Sequence, residues 1–309
     1  MENLNYLSEI DILFPEEQKK HEENLKLKQS EKDKRREEYM KNQKPKEEKT
    51  FDKDYIKNKR KQKKKLQSQK IKMKNYQAVK DMTKEEKEKY YNEYYKQKIL
   101  KKEKEKESLI EGYNSNFIIC FDLNFNNYMN SKEQKSLTSQ LALCYNLNKH
   151  NKKKINFYFT NMTQDIKNIL NKNDAEKWMV HYYETPFYLI DDLIKLKKEF
   201  VYLSPDAEEE LEDVSEDKIY IVGGIVDRTV IQDLSMNRVK NIQNDNSYDI
   251  KIVTKKLPLI KYIKDVKNTV LNINTVVEIL SLYIDMGKEK DWKIVLEKAL
   301  PKRKLPEKK

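Results

Sequence analysis

The chain has 309 residues, of which 38% are charged, 37% are hydrophobic and only four are glycine. This composition cannot fill two ordinary hydrophobic cores, so we expect one core domain with a long charged appendage. The formal net charge is +12, but residues 21–110 alone hold 31 Lys and Arg against 18 Asp and Glu, so the basic excess belongs to the appendage.

The N-terminal residues and the two cysteines disfavour several protein classes. The opening stretch, MENLNYLSEIDILFPEE, is acidic and has no long apolar run, which argues against secretory and mitochondrial presequences. No stretch is apolar over the length that a membrane crossing needs. Cys120 and Cys144 lie in apolar surroundings. This predicts reduced core thiols in an intracellular protein, and neither a disulfide framework nor a metal site.

Residues 18–106 are nearly all Lys, Glu, Gln, Asn and Tyr, and residues 58–77, NKRKQKKKLQSQKIKMKNYQ, are their most basic part. Lys and Glu favour helix, but no apolar stripe is available for burial, so we expect a solvated helical rod or a disordered arm. Such a charge run can be a plain solvated tail. It can also bind nucleic acid, because lysines neutralise phosphates and interleaved tyrosines stack on bases.

After Gly112 the pattern changes to alternating strands and helices, which predicts a parallel sheet covered on both faces. Predicted strands are Phe117–Phe121, Ile155–Phe159, Phe200–Leu203, Ile219–Val222 and Tyr248–Val253. Predicted helices begin at a capping box of Ser131 and Gln134, near Ile166, at Leu189, after Ser204-Pro205-Asp206, at Ser235, at a second box of Thr275 and Glu278, and around Trp292.

The segment KIYIVGGIVDR, residues 218–228, runs from a buried strand into a double glycine, Gly223 and Gly224, and then to Asp227. In α/β proteins a ledge without side chains at the carboxyl end of a strand is where ligands usually enter. The segment does not have the GxGxxG pattern of dinucleotide-binding proteins. These residues alone are equally compatible with a ligand site and with a plain turn beside a solvated acid.

Several segments together resemble one known family. FIICFDLNF, KSLTSQLALCYNLNK, VYLSPDAEEEL, KIYIVGGIVDR, KLPL, VLNINTVVEIL and DWKIVLEKALPKRK have the order and spacing found in the tRNA guanine-N1 methyltransferases that modify purine nine, a branch of the SPOUT superfamily. The resemblance implies a SPOUT-type α/β domain at residues 113–304 with a C-terminal trefoil knot that binds S-adenosylmethionine. It also implies a basic arm at residues 1–112, helical or disordered, that binds tRNA, and leaves a basic tail at residues 305–309.

The resemblance also implies roles for individual residues. The aspartate of GGIVD, Asp227, would be the general base, and Gln140 would lie near the target base. The cofactor would contact Leu203, Ser204, Gly223, Val226, Asp227, Leu257, Pro258, Leu271 and Asn274. Two departures concern the grip on the tRNA backbone. Leu143 replaces an arginine of the family, and RTVIQD, residues 228–233, is nearly neutral where the family has a basic run.

The chemistry explains the need for a carboxylate. Neutral guanine carries a proton on N1, which a nearby carboxylate can accept as methylation proceeds. An unshifted aspartate, with a pKa of about 3.9, is a weak base for this task. We therefore expect either burial that raises the pKa of Asp227 or a role in orienting the guanine. No metal is needed, and the three histidines do not cluster in sequence in a ligand pattern.

Other functions remain open on the sequence. The chain could be a non-catalytic RNA-binding or scaffold protein, or it could methylate N1 of adenine at the same position. A Rossmann-type nucleotide enzyme is disfavoured, because its third glycine and its early position in the chain are both missing. For the family function we expect a monomer with tRNA as its partner, no membrane association, and a location in the nucleus, the cytoplasm or both.

Overall fold

The structure, a computed structural model, describes residue 30 and residues 53–226, 233–244, 250–264, 266 and 269–305. Backbone contacts divide the chain into two units, Met1–Glu103 and Lys104–Lys309. Predictions for Asp227, for the first residues of the strand expected from Tyr248, and for nearly all of the arm before residue 53 lie outside the described residues.

The described part of the first unit is helical. Helix α1 spans Lys53–Val79, and helix α2 begins at Lys84 and continues beyond the unit to Tyr113. Thr83 and Glu86 exchange side-chain and backbone hydrogen bonds, which caps the first turn of α2. From residue 58 onward most side chains of α1 are exposed, as the absence of an apolar stripe in the sequence predicts.

The second unit contains a six-stranded sheet in which every described strand pair is parallel. The strand order is β3-β2-β1-β5-β4-β6. β2 and β3 lie on one side of β1, and β5, β4 and β6 follow on its other side. The strands are β1 (Ile118–Asp122), β2 (Asn156–Thr160), β3 (His181–Tyr182), β4 (Glu199–Leu203), β5 (Lys218–Gly223) and β6 (Ile252–Lys255). The predicted α/β class with a parallel sheet is confirmed, whereas the knot stays a prediction.

Helices form most of the connections between the strands, and among the described residues three more helices follow β6. The helices are α3 (Ser131–Leu147), α4 (Gln164–Asn171), α5 (Asp191–Ile194), α6 (Leu234–Asn244), α7 (Leu259–Tyr262), α8 (Ile273–Asp285) and α9 (Trp292–Ala299). Short 3₁₀ turns lie at Asn126–Tyr128, Ala175–Lys177, Phe187–Leu189 and Lys302–Lys304.

Outside the two-residue strand β3, alternate strand residues pack their side chains on opposite faces of the sheet, as the two-residue period of a strand requires. In β1, Ile119 and Phe121 pack in the larger core, which contains residues of α3, α4, α8 and α9. Ile118 and Cys120 pack in the smaller core with residues of α5 and α6. Cys120 and Cys144 are both buried and free, in agreement with the prediction of core thiols.

Two helices begin earlier in the chain than the sequence predicts. The capping box of α3 is formed by Asn130 and Glu133, one residue before the predicted pair, with Asn130 Oδ1 accepting the backbone N–H groups of Lys132 and Glu133. Helix α8 begins at Ile273, ahead of the predicted box at Thr275, which is itself buried within the first turn.

The helix predicted after Ser204-Pro205-Asp206 is wrong. This segment forms turns, and its end pairs with the chain that follows β6: Glu210 and Lys256 form a parallel bridge. Backbone bonds from Lys256 to Glu209 and from Leu211 to Lys256 flank that bridge. The backbone groups of this segment therefore pair with the chain after β6, although the local capping residues favour a helix. The helix predicted from Leu189 begins two residues later and is limited to the four residues of α5.

Candidate active site

The candidate site lies at the carboxyl edge of the sheet, where β1, β4 and β5 end. Asp122 is the last residue of β1 and is in register with Gly223, the last residue of β5. The backbone N–H of Gly224 donates a 2.7 Å hydrogen bond to the carbonyl of Asp122, which ties the turn after β5 to β1. From β1 the chain continues to β2 on one side, whereas β5, β4 and β6 lie on the other side, so the strand order reverses between β1 and β5. α/β proteins usually bind ligands at such a reversal.

Beneath this edge lies a buried polar network around Asp122, whose side chain has no exposed surface. Its Oδ1 accepts from Asn161 Nδ2 at 2.7 Å, and its Oδ2 accepts from the Tyr202 hydroxyl at 3.2 Å and from Arg238 Nε at 3.3 Å. Burial, with Asp122 adding to it, raises the pKa of Tyr202 well above its ordinary value, so the phenol stays a neutral donor. The network fixes the ends of β1 and β4 and the side chain from α6.

A cavity of about 220 Å³ opens at the same edge. Residues predicted to contact the cofactor supply much of its wall, since Leu203, Ser204, Gly223, Leu257 and Leu271 all line it. The structure thus brings together four sequence segments that are far apart in the chain: the ends of β4 and β5, the residues after β6, and the residues before α8.

The other predicted residues are absent from the cavity lining or lie outside the described residues. Val226, Pro258 and Asn274 are not among the lining residues of the described part of the chain. Val226 donates its backbone N–H to Met129 Sδ at 3.3 Å, and Pro258 is buried immediately before α7. Asp227 falls outside the described residues, two positions after the lining residue Ile225. The roles of all these residues stay predictions.

Gln140 has a definite structural contact. Its side chain in α3 is only 7% exposed, and its Oε1 accepts a 2.9 Å hydrogen bond from the backbone N–H of Ile273, the first residue of α8. Ile273 also lines the cavity. The contact connects Gln140 to the cavity wall through the backbone, and its predicted proximity to a target base stays a prediction.

Sequence reasoning missed several lining residues. Asp206 and Val270 belong to the YLSPD and VLNIN segments, but the resemblance implies roles only for other positions of those segments. Lys256 is the first residue of the KLPL segment, for which the resemblance implies roles only at Leu257 and Pro258. Ser235 comes from α6 and lies in none of the recognised motifs, so no sequence signal pointed to it.

Comparison with known proteins adds a family to this geometry. The family model described as tRNA (guanine(9)-N(1))-methyltransferase TRM10/TRM10A matches residues 39–305 of this chain. A tRNA (guanine(9)-N1)-methyltransferase of Schizosaccharomyces pombe is 32% identical over 209 residues, which cover 67% of this chain and 65% of that protein. The rat tRNA methyltransferase 10 homolog A is 31% identical over 192 residues, which cover 62% of this chain and 53% of the relative. The chain thus matches less than two thirds of the length of each relative.

Two solved structures have the same fold. The crystal structure of full-length spTrm10 in complex with SAH is 28% identical with a TM-score of 0.51, and the match covers 60% of this chain and 96% of that one. The crystal structure of spTrm10(74) is 29% identical with a TM-score of 0.52, and covers 60% of this chain and 95% of the other. The predicted SPOUT-type α/β domain therefore agrees with solved structures as well as with the sheet observed here.

Proposed function

Because this chain belongs to the TRM10/TRM10A family of tRNA (guanine(9)-N(1))-methyltransferases, we propose that it methylates N1 of guanine at position 9 of tRNA. The observation that carries the proposal is the cavity at the reversal of strand order, with walls from both the YLSPD and the GGIVD segments. SAH, the ligand of the related spTrm10 complex, is what remains of S-adenosylmethionine after it gives up its methyl group. S-adenosylmethionine is the proposed cofactor.

The lining residues suit that cofactor. Leu203, Leu257 and Leu271 provide apolar walls for a flat adenine ring, and Gly223 leaves its part of the wall free of a side chain. Asp206, Glu210 and Lys256 add charged groups for ribose hydroxyls and for the amino-acid end of the cofactor. Bound there, S-adenosylmethionine supplies an activated methyl group on its sulfonium. The protein must then hold the guanine so that N1 lies in line with that group.

Asp227 is the proposed group that receives the N1 proton or orients the guanine. In the sequence it follows Val226 and Ile225, and Ile225 lines the cavity. A base near the cavity would take the proton that neutral guanine must lose on N1 methylation. Methyl transfer by Asp227→Asn, measured across a range of pH, separates the two roles. An unchanged rate and an unchanged pH profile would exclude both.

The proposed partner is tRNA, and the basic arm is proposed to bind it. The described residues from 58 to 75 in α1 have exposed side chains and include a dense run of lysines. Phosphate neutralisation by such a run gives strong, salt-dependent affinity. Tyr76 and Tyr95, 60% and 57% exposed, are available for stacking. We expect deletion of residues 1–110 to weaken tRNA binding steeply at low salt while SAH affinity is retained. Equal tRNA affinity of the truncated and full chains would contradict this role.

We also propose that the chain acts as a monomer in the nucleus, the cytoplasm or both. None of the helices in the described ranges is both long and apolar enough to pass through a bilayer. Gel filtration with light scattering tests the oligomeric state, and a tagged full-length chain tests the location.

The decisive experiment incubates the full chain with labelled S-adenosylmethionine and transcribed tRNA, and then maps the modified nucleotide. We expect label on N1 of guanine 9 and its loss in a transcript that carries uridine there. A transcript with adenine at position 9 tests the alternative purine in the same assay. Saturable SAH binding without methylation of any tRNA would favour a non-catalytic RNA-binding protein over the proposed enzyme.

A further inference from the structure

One wall of the cavity is formed by chain without regular secondary structure. Thr269, Val270, Leu271 and Ile273 all line the cavity, and residues 269–272 belong to neither a strand nor a helix. A segment of this kind has no ladder of backbone hydrogen bonds to define its shape. The position of this wall therefore depends on bonds from other parts of the domain.

Two side chains from distant elements supply such bonds. Gln140 of α3 accepts the backbone N–H of Ile273 at one end of the segment. At the other end, Lys304 Nζ donates a 2.7 Å hydrogen bond to the backbone carbonyl of Val270. The segment is thus held from both sides, once through a backbone donor and once through a backbone acceptor.

Lys304 differs from the two basic residues beside it. It lies on the 3₁₀ turn Lys302–Lys304 that follows α9, where Lys302 and Arg303 are exposed and Lys304 is partly buried. The next residue, Leu305, packs against the larger core and anchors the turn. Burial, with Arg303 adding to it, lowers the pKa of Lys304. An ammonium withdrawn from water is retained at such a place when it is hydrogen-bonded, as it is here.

We propose that Lys304 is a positioning residue for the cofactor: it fixes the 269–273 wall through the Val270 carbonyl, so that the C-terminal basic turn contributes to cofactor affinity. This rests on the proposed function, because it takes the cavity to be the cofactor site. A hydrogen bond from a charged donor is short and stronger than a neutral one, which suits a contact that must hold a loop in place. Lys302 and Arg303 do not share this role, since their side chains are exposed.

The test measures SAH affinity by calorimetry in the absence of tRNA. Lys304→Met removes the donor and keeps most of the aliphatic stem, and Lys302→Met removes the same charge from an exposed position of the same turn. We expect the SAH Kd to rise about tenfold in K304M, the effect of losing one charge-assisted hydrogen bond. The Kd should stay within about twofold of wild type in K302M. Equal Kd values for the two variants would overturn the proposal.

A second measurement uses the unaltered chain and needs no substitution, so it stands even where K304M folds poorly. Coupling between two sites is reciprocal, so if the turn strengthens SAH binding, bound SAH must stabilise the turn. The backbone N–H groups of Lys304 and Leu305 are bonded to the carbonyls of Pro301 and Lys302. We expect their hydrogen exchange to slow at saturating SAH. Unchanged exchange at residues 301–305 would overturn the proposal, whereas failure of the wild-type chain to bind SAH would instead overturn the cofactor assignment itself.

Discussion

Gln140 Oε1 and the backbone N–H of Ile273 form a 2.9 Å hydrogen bond that joins the middle of α3 to the first turn of α8. The first N–H groups of a helix have no partner within that helix. Asn272 precedes α8 but makes no side-chain capping bond, so Gln140 satisfies one of these groups from a different helix. A residue singled out by its family motif is therefore also part of the contact between two helices of the larger core.

Replacing Gln140 with leucine should destabilise the domain. The substitution keeps the approximate size of the side chain but leaves the N–H of Ile273 without its acceptor, in surroundings where Gln140 is only 7% exposed. We expect a loss of about 1–3 kcal/mol in the free energy of unfolding, the usual cost of an unsatisfied buried donor. Urea denaturation of the full chain followed by tryptophan fluorescence measures it.

Ser139→Ala is the matched control, because Ser139 is the neighbouring residue of α3 and its side chain is exposed. It should change the free energy of unfolding by less than about 0.5 kcal/mol. A Gln140→Leu variant as stable as wild type would show that the bond to Ile273 contributes nothing to the fold.

The two adjacent glycines after β5 should respond differently to alanine. A Cβ at Gly224 would lie 2.4 Å from Leu123 Cδ2 and 2.9 Å from the carbonyl oxygen of Asp122, so backbone would have to move. A Cβ at Gly223 meets nothing closer than 3.4 Å, an ordinary contact distance. We expect Gly224→Ala to cost about 1–3 kcal/mol of stability. Gly223→Ala should stay within about 0.5 kcal/mol of wild type, and reversal of this order in denaturant unfolding would contradict the packing described here.

Breaking the ion pair between Asp122 and Arg238 should strongly destabilise the domain. Asp122 is fully buried, Arg238 has a side chain 10% exposed, and Arg238→Met would leave the carboxylate without its cation. Breaking a buried pair from one side typically costs about 3–5 kcal/mol. Lys177→Met is the comparison, since Lys177 and its partner Asp174 are both 71% exposed, so water screens the pair and its loss should cost far less stability.

A double variant gives an independent check of this ion pair. When Asp122→Asn accompanies Arg238→Met, no unpaired charge is left in the interior. The loss of stability for the pair should then be smaller than the sum of the two single losses, because the residues are in direct contact. Strict additivity in equilibrium unfolding would show that Asp122 and Arg238 act independently.

Much of the fold followed from local patterns in the sequence, because buried parallel strands are short apolar runs. The runs FIICF and INFYF predict β1 and β2 to within one residue at each end, and the helix that contains Gln140 forms where the sequence predicts one near Ser131. Helix starts were less predictable. Asn130 and Ser131 are both good capping residues, and the cap forms at Asn130, whose backbone N–H also donates to Glu133 Oε2.

The candidate site was predictable only where family motifs marked it. Leu203, Gly223 and Leu271 were identified in this way, and all three line the cavity. The contact between Lys304 and Val270 joins residues 34 positions apart through a side chain, and no periodicity in the sequence encodes such a contact. The helix prediction after Ser204 is wrong for a related reason, because the segment pairs with Lys256, which lies far along the chain.

His181 should make the stability of the domain depend on pH. Its ring is stacked between Tyr113 and Tyr158, at centroid distances of 3.9 and 4.3 Å, and its Nε2 lies 3.3 Å from the carbonyl oxygen of Tyr113. Burial lowers the pKa of His181 from its usual 6.5, and the bond to Tyr113 opposes this only in part. The unfolded chain therefore binds a proton more readily than the folded one as pH falls through 6.5, and folding loses stability in that range. Above that pH the contribution is constant.

His181→Phe keeps an aromatic ring in the stack and removes the titrating group. The free energy of unfolding, from urea curves at about pH 7.5 and about pH 5.5, should fall by less in this variant than in wild type. His150 has an exposed side chain, so His150→Gln should retain the wild-type difference between the two pH values. Comparison of the three proteins isolates the contribution of His181. An H181F difference equal to that of wild type would mean that protonation of His181 costs the fold nothing.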